Sequence, residues 1–128
     1  MRISADSEEI FTARLHLRRA RMADLTAMHR VFTDPETMRY WSTPPHSVVD
    51  ETRNWLSTMV NADPQICDDF VIEFSGEVIG KAGFWRLPEI GFILRRDCWG
   101  RGLAREALDA VIARRFAKTP DEIGRAHV

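Results

Sequence analysis

The chain has 128 residues, 45% of them hydrophobic and 29% charged, which is enough apolar material for one folded domain with a real core. A formal charge of -1 gives no general attraction to nucleic acid or to a membrane surface. No apolar run is long enough to span a bilayer, and the opening residues MRISADSEEIF are acidic and polar rather than a signal peptide, so a cytoplasmic protein is expected. Cys67 and Cys98 lie far apart without metal-ligand spacing. They read as free thiols, and no metal site is expected.

Residues 1–12 read as an N-terminal extension, the one stretch expected to lack order. RLHLR (residues 14–18) alternates, with Leu15 and Leu17 on one face, and predicts a short strand. Met22, Leu25, Met28 and Phe32 then recur at helical steps and predict a helix that stops near Asp34 and Pro35. After Pro44 and Pro45, Ser47 with Asp50 three residues on resembles a capping box, and Val49, Thr52, Leu56 and Met59 form the buried stripe of a second helix. DFVIEF and VIGKAGFW alternate on either side of Ser75 and Gly76, which predicts a β-hairpin over residues 69–85. Phe84 and Trp85 read as sheet-packing residues. EIGFIL (residues 89–94) is a third strand of this group, and from Leu103 the apolar residues Ala107, Leu108, Val111 and Ile112 return to helical spacing. The expected order is β-α-α-β-β-β-α, an α/β (α+β) fold with a mixed, mostly antiparallel sheet flanked by helices.

Between the last strand and the last helix stands RRDCWGRGLAREAL, residues 95–108. A helix start offers backbone N–H groups with no intrahelical acceptor, and its dipole favours anions. Gly100 and Gly102 have no Cβ and Ala104 only a methyl, so a bulky anion could approach closely, with Arg101 and Arg105 adding charge. A plain turn that needs glycine for a positive φ is the other reading. A P-loop would require Lys followed by Ser or Thr where Leu103 and Ala104 stand. A dinucleotide fingerprint would require Gly or Ala in place of Arg105, within a βαβ unit that the preceding meander does not form.

EIGFILRRDCWGRGLAREALDAVI (residues 89–112) resembles the acyl-CoA-binding motif of the GNAT N-acetyltransferase superfamily, with Trp99, Gly102 and Ala104 in its first, fourth and sixth positions. The Trp-Gly-Arg-Gly-Leu-Ala run is similar to the branch containing the RimJ and RimL ribosomal-protein acetyltransferases, and the resemblance extends over residues 13–122. It implies acetyl-CoA as co-substrate. Its pyrophosphate would lie on the backbone of Gly100, Arg101, Gly102, Leu103 and Ala104, its pantetheine arm along Phe92, Ile93 and Leu94, and Trp99 would belong to the same cofactor-binding set. It implies transfer of the acetyl group to an amine, on a small molecule or a protein N-terminus, by direct attack on the thioester. The acceptor itself is left open, with ribosomal-protein N-termini, polyamines, amino acids and antibiotics all admitted. A non-catalytic acyl-CoA-binding or regulatory module is the alternative.

An attacking amine must first lose a proton, and a carboxylate can take it. Glu89, at the head of the coenzyme strand and on one face with Gly91 and Ile93, is the candidate base, against a solvated strand-end carboxylate. Asp68 and Asp69 read as solvated loop residues. Tyr40 and Trp41 lie in the loop that forms part of the acceptor pocket in the family, or else pack under that loop as core aromatics. His46 reads as a surface histidine or a substrate contact.

The resemblance also implies a further strand, helix and hairpin beyond the last helix, which would wall the coenzyme gap and usually supply the general acid. The residues IGRAHV (123–128) are what a widely used sequencing adapter encodes when read as ATC GGA AGA GCA CAC GTC. Residues 13–122 are therefore expected to be a partial acyltransferase domain, residues 123–128 a non-native tail, and the chain as written a poor enzyme.

Overall fold

The computed structural model describes residues 9–41 and 43–118. Five strands, β1 (Glu9–Phe11), β2 (Leu15–Arg18), β3 (Asp68–Phe74), β4 (Glu77–Arg86) and β5 (Glu89–Leu94), form one sheet in the order β1-β2-β3-β4-β5. Every neighbouring pair is antiparallel. The helices are α1 (Leu25–Thr33), α2 (Val49–Val60) and α3 (Leu103–Lys118), with short 3-10 turns at Met22–Asp24, Thr37–Tyr40 and Arg96–Cys98.

The order is thus β-β-α-α-β-β-β-α, one strand more than the sequence predicted. Strand β1 starts at Glu9, inside the stretch read as an extension, and pairs Ile10 with Leu17 and Phe11 with His16. The Phe11 and His16 rings stack with centroids 4.3 Å apart. A strand of three residues is too short to display a period, and only its pairing with β2 defines it. Residues 1–8 of the expected extension and the expected tail at 123–128 lie outside the described residues.

The hairpin forms where alternation placed it. Ser75 and Gly76 have φ of 52° and 81°, the two left-handed residues that a two-residue turn of matching twist requires. Ile93 and Leu94 are adjacent in β5, so they point to opposite faces of the sheet, and each belongs to a different core. Leu94 packs with Leu17, Phe70, Ile72 and Ile79 against Leu103, Ala107 and Val111 of α3. Ile93 packs with Met28, Val31 and Phe32 of α1 and with Met38. The α1 stripe is turned slightly from the expected one: Val31 is buried, while Met22 lies before the helix and is exposed.

Helix α2 is capped one residue later than expected. The Glu51 carboxylate accepts from Ser47 N at 2.6 Å, Ser47 Oγ at 3.1 Å and Val48 N at 3.3 Å, which holds its carboxyl below the usual range. Asp50 instead pairs with Arg53 on the exposed side.

Buried charges tie the layers together. Arg18 reaches both oxygens of Asp24, at 2.8 and 3.0 Å, and Glu73 at 2.6 Å. Burial opposes ionisation of Asp24, but its hydrogen bonds from Arg18 and Arg21 outweigh that and hold its carboxyl below the ordinary value. Asp68 is fully buried and accepts from Arg19 at 2.8 Å and from Arg114 of α3 at 2.9 and 3.0 Å. This corrects the reading of Asp68 and Asp69 as solvated loop residues. They begin β3, and basic partners distant in sequence compensate their burial.

Candidate functional site

Strand β5 stands last in the sheet, so its outer edge is unpaired among the described residues. Ile93 lies opposite Lys81, and Arg95 N–H donates to the Ile79 carbonyl at 2.7 Å. By alternation the backbone groups of Phe92 and Leu94 therefore face the open edge, while those of Ile93 are spent on β4. The Leu94 carbonyl has a partner of its own, because Trp99 Nε1 donates to it at 2.9 Å. Trp99 thus clamps the turn onto the strand that precedes it.

Beyond Trp99, Gly100 and Gly102 have φ of 74° and 75°, left-handed values that favour glycine. A Cβ on Gly100 would meet nothing within 4 Å, so the outside of the turn is open. Helix α3 begins at Leu103, and Glu106 N–H donates to the Gly102 carbonyl at 3.1 Å as the first helical bond. The N–H groups of Leu103, Ala104 and Arg105 consequently have no acceptor within the helix. The Leu103 side chain is buried, so only its backbone can face a ligand.

Beside the turn, Arg101 lays its guanidinium over Phe74 at 5.0 Å, and Arg105, largely exposed, reaches toward Asp109 at 3.6 Å. Arg14 is a third guanidinium there, paired with an acid: its Nη1 donates to the Arg101 carbonyl at 3.0 Å and its Nε to Glu106 at 2.7 Å. Glu106 also accepts from Thr12 and from Arg14 N, and these bonds, led by Thr12, hold its carboxyl below the usual range.

On the α1–α2 side, a cavity of about 610 Å³ opens next to β5. Tyr40, Trp41, Trp55 and Trp85 supply its aromatic walls, Gly91 and Phe92 of β5 its strand edge, and Asp69 and Lys81 its charged groups. Both readings of the 40–41 pair hold for Trp41, which lines the cavity and packs edge-on against Phe32 at 5.4 Å. Tyr40 is 81% exposed and forms the rim. Trp85 does both: it is half exposed and lines the cavity while its ring lies over Gly91 of β5, and Phe84 packs against the α3 core. His46 is neither a surface residue nor part of the lining. It stacks on Phe32 at 4.8 Å and shares the Thr52 hydroxyl with His29, both at 2.7 Å, and burial lowers its pKa.

Glu89 is not brought to this cavity. It is half exposed, pairs with Arg86 at 3.0 Å, and sits where the β4–β5 register slips between Phe84 and Arg86. The carboxylate that does line the cavity is Asp69, whose Oδ2 accepts from Lys81 Nζ at 2.6 Å. Its Oδ1 is buried, with no hydrogen-bond partner among the described residues. Gly83 makes room for this carboxylate, since a Cβ there would lie 2.8 Å from Asp69 Oδ1 and 2.5 Å from the Asp68 carbonyl. Burial pushes the Asp69 carboxyl above its ordinary value, with Lys81 opposing. Sequence alone held one signal for the pair: Lys81 is a charged residue within the apolar alternation of VIGKAGFW and demands a partner.

The model of the Acetyltransferase (GNAT) domain matches residues 14–127. An uncharacterized N-acetyltransferase, p20 of Bacillus licheniformis, is 29% identical over 114 residues, which are 82% of this chain and 64% of that protein. The chain therefore spans less than two thirds of that relative's length. Among solved structures, a GNAT-family acetyltransferase from Bacillus anthracis aligns with a TM-score of 0.74 at 20% identity, over 88% of this chain and 68% of its own. The ribosomal L7/L12 alpha-N-protein acetyltransferase RimL aligns with coenzyme A bound, at a TM-score of 0.67 and 19% identity, over 86% of this chain and 68% of its own. These two likenesses speak for the fold. With the family model matching from Arg14 through the whole of α3, the chain belongs to the GNAT acetyltransferase family.

Proposed function

We propose that the protein binds acetyl-CoA along β5 and the glycine turn and passes its acetyl group to an amine held in the aromatic cavity. The observation that carries this reading is one continuous path. The open edge of β5 at Phe92 and Leu94 runs through the Trp99 clamp into the left-handed Gly100 and Gly102 and the free N–H groups at the start of α3. Each part suits a portion of the donor. An extended amide-bearing arm pairs with a strand edge, and a pyrophosphate seats on unpartnered N–H groups at a helix start. Phe92 belongs to the strand edge and to the cavity, so a thioester at the end of such an arm comes to the cavity mouth.

Bound acetyl-CoA supplies an activated acyl thioester. The chain's own part is to hold the arm straight, to keep the amine in an apolar enclosure where little water competes, and to take a proton from it. Asp69 fits the last task better than Glu89, because its carboxylate lines the cavity. The test is release of free coenzyme A thiol from acetyl-CoA with and without a panel of amines. Amine-dependent release supports transfer, whereas coenzyme binding without release under any amine returns the protein to a binding module.

A further inference from the structure

The cavity's polar equipment says more about the acceptor than the family does. Lys81 and Asp69 form a pair with net charge zero, and their side chains are only 4% and 10% exposed. Asp69 keeps one oxygen without a partner, and an ammonium has three donors, of which one is used on Asp69 here. The terminal torsion of an aspartate is soft, so its carboxylate can turn toward a ligand while one oxygen stays on Lys81. Around the pair stand Tyr40, Trp41, Trp55 and Trp85.

We infer that the acceptor is a free α-amino acid with a large apolar or aromatic side chain, its ammonium at Asp69, its carboxylate at Lys81 and its side chain among the aromatic walls. This rests on the acetyltransferase reading above. The argument is one of charge balance in a place that tolerates no stray charge. Transfer begins when an ammonium N–H bond breaks and its proton passes to the Asp69 carboxylate. Lys81 then has no counter-ion, unless the substrate brings one. An α-carboxylate does, and the ensemble of neutral acid, ammonium, carboxylate and free amine stays neutral throughout. The amine nitrogen then bonds to the acetyl carbon and the C–S bond breaks. The nitrogen's second proton neutralises the departing thiolate, and Asp69 returns the first proton to solvent. A simple amine or a peptide N-terminus carries no carboxylate at that distance and would strand the Lys81 charge.

The cavity rim agrees. Arg39 lies over the Tyr40 ring at 5.5 Å and Arg86 over the Trp85 ring at 5.2 Å, and each has a carboxylate beside it, Glu36 at 3.9 Å and Glu89 at 3.0 Å. The mouth is thus balanced in charge, which suits a neutral zwitterion.

The test is calorimetric titration of the full chain, in the presence of coenzyme A, with L-phenylalanine, phenethylamine, 3-phenylpropionate and the dipeptide Phe-Gly. L-phenylalanine should bind, and loss of either charged group should weaken binding about 10–10²-fold, as expected when a buried polar group loses its partner. Lys81→Met should erase the preference for L-phenylalanine over phenethylamine while leaving coenzyme A affinity unchanged. Phenethylamine or Phe-Gly binding as well as L-phenylalanine overturns the inference, as does failure of every ligand while coenzyme A still binds. Failure of coenzyme A itself is a different result and strikes the acetyltransferase reading instead.

Discussion

Replacing Lys81 by Met removes one partner of a buried ion pair and leaves the other. Met matches the length of the lysine stem, so packing against the sheet is largely kept and the change isolates the charge. Asp69 would then hold a carboxylate in a position where its side chain is 10% exposed and one oxygen already has no hydrogen bond. Breaking a buried pair in this way costs about 3–5 kcal/mol. For a domain of this size that is a fall in Tm of about 12–20 °C. The loss must depend on pH, and its sign follows from Asp69. Its folded carboxyl already titrates above the ordinary value, and removing the opposing Lys81 raises it further. A group raised on folding favours the native state below its unfolded pKa, and that benefit disappears as pH rises through the folded value. Lys81→Met should therefore be closest to the parent protein in acid, where Asp69 is protonated in both states, and fall away as pH rises through neutrality. Lys81 on β4 is the ion-paired neighbour, Arg19 is the other cation acting on Asp69, and Asp68 adjoins it on β3. Adding Asp69→Asn should recover most of the stability at pH 8, because neither position of the pair then holds an unpaired charge. Thermal melts by circular dichroism across pH read all three. A Lys81→Met loss below about 1 kcal/mol, or equal at pH 5 and 8, or no recovery in the double variant, refutes the argument.

Glu89→Gln should change amine-dependent thiol release by less than about twofold, whereas Asp69→Asn should lower it about 10²-fold with coenzyme A affinity intact; the reverse pattern restores Glu89 as the base. Gly102→Val should remove the thermal protection given by coenzyme A, measured against the variant's own melt, since a branched side chain at φ 75° obstructs the turn. Asp24, held below the ordinary carboxylate value by Arg18, contributes stability above its unfolded pKa that is lost as pH falls through the folded one. Asp24→Asn should thus destabilise at pH 7 and lose its effect in acid melts.

The elements that could be read from the sequence were those whose burial repeats along the chain. The hairpin, β5 and α3 follow directly from alternation and helical spacing, and the glycine turn was placed by the break between them. What could not be read depends on partners brought from elsewhere. β1 is three residues long and exists only through β2. Asp68 looked solvent-bound because its guanidinium partners, Arg19 and Arg114, are 49 and 46 positions away. For Glu89, strand parity says nothing of reach: as the first residue of β5 it pairs with Arg86 and stays half exposed. The aromatic walls were half legible: Tyr40 and Trp41 were singled out by their loop, while Trp85 read as sheet packing and nothing in the sequence marked Trp55 until the fold set them around one space.

The account rests on β5 and the start of α3 forming a single coenzyme site, and the most direct measurement is an amide NMR titration of the ¹⁵N-labelled chain with coenzyme A. The backbone N–H signals of Phe92, Leu94, Gly100, Gly102, Leu103 and Ala104 should shift together with one saturation curve, and those of β1 and β2 away from Arg14 should stay in place. Shifts that bypass the 100–104 turn, or no saturable shift at all, would contradict the account.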